Sequence, residues 1–71
     1  MKKDRRGIVT PIRIPHAGRL IEVAVIYDYV GKIIYIDAIK YGGEDIKSII
    51  SPRLTDEIAY FLKLKIERGI V

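Results

Sequence analysis

The stretch from Arg19 to Tyr41, RLIEVAVIYDYVGKIIYIDAIKY, leaves little choice of fold. It is rich in Val, Ile and Tyr, whose branched or aromatic side chains suit a pleated surface. Val30-Gly31-Lys32 interrupts it, so it reads as two strands folded back on each other. In the first of these strands Ile21, Val23, Val25, Tyr27 and Tyr29 form an unbroken apolar series at alternate positions. A two-residue loop, either Val30-Gly31 or Gly31-Lys32, sets odd residues of one strand beside even residues of the next. That places Val23, Val25 and Tyr27 alongside Ile34, Ile36 and Ala38 as the expected core face.

The opposite face carries Leu20, Glu22, Ala24, Ile26 and Asp28 against Ile33, Tyr35, Asp37, Ile39 and Tyr41. A face that met only water would alternate to polar residues, and half of this one stays apolar. Ile26, Ile33, Tyr35, Ile39 and Tyr41 are therefore the candidate residues of an oligomer interface. Length argues the same way. A chain of 71 residues lies near the lower limit for folding on one hydrophobic core. With no Cys and one His, neither a disulfide nor a structural metal is available to help it. A homo-oligomer, most simply a dimer, is expected, and no cofactor.

The flanks complete the architecture. Residues 1–7 are polar and charged and are expected to form a flexible basic arm, with a single domain over 8–71. From Ile8 to Ile14 the residues alternate again, and Pro11 and Pro15, which lack an N–H, assign this strand to a sheet edge. Pro15-His16-Ala17-Gly18 reads as a turn. After Gly42-Gly43, the Ile spacing in EDIKSII suits one short helical turn, with a fourth edge strand as the alternative. Ser51-Pro52 is a helix start, since Ser accepts an orphan backbone N–H and Pro has none to leave unpaired. The helix is predicted over 52–68, with a stripe of Leu54, Ile58, Phe61, Leu62 and Ile66. Asp56 and Glu57 come early in it and Lys65 and Arg68 late, as the helix dipole favours. The expected fold class is α+β: a three-stranded antiparallel β-meander packed on one C-terminal α-helix, with a short helical turn after the third strand.

Charge is uneven along the chain. Lys2, Lys3, Arg5, Arg6, Arg13 and Arg19 stand against Asp4 alone, so the whole excess behind the net charge of +4 lies in the N-terminal quarter. These six residues are the candidate nucleic-acid contacts, binding phosphates without sequence preference, with Tyr35 and Tyr41 available for base stacking. Catalytic readings are weaker. His16 is the single imidazole and lies in a turn, Ser51 already has a capping role, and Gly42-Gly43-Glu44-Asp45 only partly matches the signature of diguanylate cyclases. Asp28 and Asp37 become diagonal neighbours only if the loop is Gly31-Lys32. A non-enzymatic chain is expected.

Fifteen Ile and no Asn, Gln, Cys or Trp beside abundant charge point to a hot-environment protein. Charges interrupt every apolar run well before the roughly 18 residues a membrane span requires, so no membrane partner and a cytoplasmic location are expected. Val25, Tyr27, Asp28 and Tyr29, then Gly43, Asp45 and Ile46, then Ser51, Asp56 and Glu57 occur in an order similar to that of small, uncharacterised phage and prophage proteins. The resemblance implies a viral or mobile-element origin and carries no activity with it. Together these features predict a small, self-associating interaction protein, with a nucleic-acid-binding module as the alternative.

Overall fold

A computed structural model describes residues 4–69. Four strands, β1 (Arg5–His16), β2 (Arg19–Val30), β3 (Ile33–Tyr41) and β4 (Glu44–Asp45), precede one helix, α1 (Pro52–Glu67). The strands form one antiparallel sheet in the order β1-β2-β3-β4. The α+β class holds, and the sheet gains a fourth, two-residue strand beyond the three expected. Where a helical turn was expected from Glu44, the alternative edge strand forms at Glu44–Asp45, and after it the amides of Ile49 and Ile50 both donate to the Ile46 carbonyl in a hydrogen-bonded turn.

Three two-residue loops build the meander. Ala17-Gly18, Gly31-Lys32 and Gly42-Gly43 all have positive φ at both positions, which is the type I′ turn whose twist matches the flanking strands. Two of these residues carry a Cβ, Ala17 at φ 53° and Lys32 at φ 65°. A side chain in this region costs about 1–2 kcal/mol. Lys32→Gly is therefore expected to stabilise the fold by about 0.5–1 kcal/mol, after allowing for the freedom glycine gains in the unfolded chain. Thermal melting checks it, and a lowered midpoint would count against a type I′ turn here.

The expected arm gives way to strand at residues 5–7, because β1 begins at Arg5. Gly7, at φ +65°, sits where the β1–β2 register slips between Arg5 and Ile8, as a β-bulge with a left-handed glycine requires. Charged composition concealed this strand. Met1, Lys2 and Lys3 lie outside the described residues.

β1 is an edge strand, as its prolines predict. Its turn makes His16↔Arg19 a hydrogen-bonded pair, and alternation from there points the backbone groups of the odd residues away from β2. Pro11 and Pro15 both occupy such outward positions, so neither interrupts the ladder.

A second bulge changes the faces. Tyr27 opposes Ile36 but Ile26 opposes Ala38, leaving Asp37 as the extra residue. Ile34 and Ile36 keep the expected core side, whereas beyond the bulge Ile39 falls opposite Val25 and is fully buried. Ile39 is thus a core residue and not an outer-face one. Tyr41, two residues on, shares its side at the rim and pairs with Glu44.

The core joins Ile12, Ile14, Ile21, Val23, Val25, Tyr27 and Ile39 of the sheet to Ile46, Ile50, Ile58 and Leu62. Helix α1 starts as expected, with Ser51 Oγ accepting from the Leu54 amide at 3.1 Å and Pro52 in the first turn. It turns Ile58 and Leu62 inward, with Leu54 and Ile66 flanking them. Phe61, expected in that stripe, is 46% exposed and lies under the Lys65 ammonium, 5.1 Å from its ring centre. Asp56 and Glu57 fall beyond the first turn, which contains no acid.

Candidate functional site

Because α1 covers one side of the sheet, the opposite side has no second layer among the described residues. Across its middle Val9, Ile26 and Ala38 stand side by side on three adjacent strands. Toward the Gly31 turn the pairs Asp28↔Tyr35 and Val30↔Ile33 continue it; toward the other end come Pro11↔Ala24 and Ala24↔Lys40, then Arg13↔Glu22 and Pro15↔Leu20. Val9 is 59% exposed, Ile33 52% and Tyr35 54%, so large apolar groups of this face meet solvent.

Of the five interface residues expected, Ile26, Ile33 and Tyr35 share this face, while Ile39 and Tyr41 do not. Val9, Val30 and Ala38 join it instead. Strict alternation puts Ala38 on the core side; the bulge at Asp37 turns it beside Ile26 instead, where its small side chain stays buried. The signal that was present is the spacing of Ile34, Ile36 and Ile39, which changes from two to three.

The basic positions do not gather. Arg5 opposes Tyr29 at one end of the hairpin and Arg19 opposes His16 at the other, roughly 37 Å apart at a strand's rise per residue. Arg6 lies 3.7 Å from Asp28 Oδ2, and Arg13 is directly across from Glu22. Lys2 and Lys3 lie outside the described residues.

Acidic side chains serve the backbone here. Asp28 Oδ1 accepts from the Gly7 amide at 2.9 Å, holding the first bulge, and Asp4 Oδ1 accepts from the Gly31 amide at 3.1 Å, tying the start of the chain to the second turn. The loop is Gly31-Lys32, so Asp37 does sit diagonal to Asp28, but Asp28 is already engaged by Gly7 and Arg6. His16 stands at the hairpin tip beside Arg19. Among the described residues no three His, Cys, Asp or Glu side chains converge, and no helix is long and apolar enough to cross a membrane.

Asp45 continues the sheet with its side chain. Its Oδ1 accepts from the Lys47 amide at 3.0 Å and the Ile39 amide at 3.2 Å, and these two bonds, with the nearby Lys40 and Lys47 charges, hold its carboxyl below the usual 3.8. A carboxyl depressed on folding stabilises the protein above its unfolded value, and that contribution is lost as pH falls through the folded value. Stability is thus expected to drop as pH falls below 3.8. Asp45→Asn should flatten this acid limb in denaturation curves taken across pH, and an unchanged limb would remove Asp45 as its source.

Between α1 and the rim of β1 runs an open groove of about 470 Å³ lined by Pro11, Ile12, Arg13, Glu22, Phe61 and Lys65. Its charges are of both signs. Comparison of the chain with protein-family models, curated proteins and solved structures finds no match.

Proposed function

We propose that this chain is a small, non-catalytic interaction protein that self-associates through its sheet, in the region carrying Ile26, Val30, Ile33 and Tyr35. The observation that supports this reading is the outer face without a second layer, where Val9, Ile33 and Tyr35 are more than half exposed around the half-buried Ile26. Apolar surface in water costs about 25 cal/mol per Å², so a partner that covers it gains stability.

Charge on this face supports a second copy over a ligand of one sign. Arg13 and Lys40 lie on it together with Glu22 and Asp37, so it carries both signs, as a surface that meets its own copy about a two-fold axis needs. The alternative, a nucleic-acid-binding module, has less support because Arg6 and Arg13 stand against acids. A thermophilic or viral source belongs to the same reading, supported by the absence of Asn, Gln and Cys and by the resemblance to phage proteins.

Sedimentation over a concentration series tests the proposal. Wild-type protein should be a dimer at micromolar concentration, and Tyr35→Lys should weaken association at least about tenfold by placing charge in an apolar contact. A concentration-independent monomer would sink it.

A further inference from the structure

The two rims of the sheet are unlike. On the β1 rim, Pro11 and Pro15 remove two of the outward donors. On the β3 rim, β4 pairs only with Lys40 and Tyr41, and the Ile39 backbone is taken by Asp45 Oδ1 and by the Ile46 amide at 2.7 Å. Nearer the Gly31 turn this cover ends. The turn makes Val30↔Ile33 a hydrogen-bonded pair, so alternation points the N–H and C=O groups of Ile34 and Ile36 outward. Among the described residues no strand and no backbone group meets them there. Ile33-Ile34-Tyr35-Ile36 contains no Pro, Gly or charge, and such a rim is a template for another strand.

We infer that a second copy of this chain fills it: the β3 strands of two copies pair antiparallel about a two-fold axis at Tyr35, joining two sheets into one. This rests on the self-association reading, but places the contact at the β3 rim beside Ile33 and Tyr35 and leaves the outer face itself open.

Three features select a second copy over an unrelated strand. With Tyr35 opposite its own equivalent, Ile34 of each copy faces Ile36 of the other, so every outward N–H of this segment meets an outward C=O. The faces also stay in phase. Ile34 and Ile36, packed against the core, continue onto Ile36 and Ile34, while Ile33 and Tyr35 stay on the outer side. The outer faces of the two copies then become one surface. Charge completes the match, because the same register brings Lys32 of each copy within one residue of Asp37 of the other.

The chain has no cysteine, so Tyr35→Cys introduces a single thiol at an exposed position. In the proposed register the two Cα atoms form a non-hydrogen-bonded pair about 4.5 Å apart, inside the range of about 4.4–6.8 Å that a disulfide spans. Sheets stacked face to face lie about 10 Å apart and cannot be bridged in this way. Leu20→Cys, at the more exposed Leu20 near the far end of β2, is the control. Under mild oxidation Tyr35→Cys should cross-link at least about tenfold faster than Leu20→Cys, because pairing converts an encounter into an intramolecular step. A dimer in sedimentation without this selective cross-link overturns rim pairing and leaves self-association standing. A monomer overturns both, and equal cross-linking of the two variants overturns rim pairing as collision alone.

Discussion

Leu62→Ala is expected to lower the unfolding free energy by about 2–5 kcal/mol, the cost of an emptied cavity beneath a helix. Leu62 is fully buried, and with Ile58 it forms the inward side of α1. The core it belongs to is small, and a chain of 71 residues has roughly 4–10 kcal/mol of stability in total. The loss is therefore a large fraction of what holds the fold, with no disulfide to compensate. Tyr60, on the same helix but 65% exposed, provides the contrast, and Tyr60→Ala should cost no more than about 0.5 kcal/mol. Urea denaturation followed by circular dichroism measures both. Equal costs for the two variants would mean that α1 does not pack on the sheet through Leu62.

The second large effect comes from a buried polar contact. Thr10 Oγ1 lies 3.1 Å from the Tyr27 hydroxyl, between β1 and β2, with Tyr27 fully enclosed. Thr10→Val keeps the shape of the side chain but leaves the Tyr27 hydroxyl without its partner, at an expected cost of about 1–3 kcal/mol. Adding Tyr27→Phe removes the orphaned group as well, so the double variant should recover most of that loss. This non-additivity is the diagnostic result. Simple addition of the two single costs would show that the hydroxyls contribute independently.

Signals confined to a few neighbouring residues were legible in the sequence. Ser51-Pro52 marked the helix start because capping depends only on local donors, and Ile21 through Tyr29 marked the core strand because the alternation is unbroken there. The errors arose where a neighbouring element decided the outcome. Arg5, Arg6 and Gly7 look like a solvated arm, yet Asp28 and the glycine's left-handed backbone dock them as strand. Ile39 changed sides because one extra residue at Asp37 reverses every side chain after it. Phe61 fits a helical stripe, but its place at the rim of β1 leaves it half outside. For the candidate surface, the sequence identified an incompletely polar face and Ile26, Ile33 and Tyr35 within it. Its continuation to Val9 and Ala38 depended on the register between strands.

Pro11 and Pro15 have a consequence for how far assembly can go. A sheet with two receptive rims accepts a neighbour on each side, and every addition exposes a fresh rim, which is how open fibres grow. Here the backbone along β1 lacks two of the donors that a further strand would need. If a second copy pairs at the β3 rim, β1 offers no equivalent second start, and growth by strand addition would end at a pair. The two prolines thus disfavour polymerisation of an isoleucine-rich chain through its β1 edge.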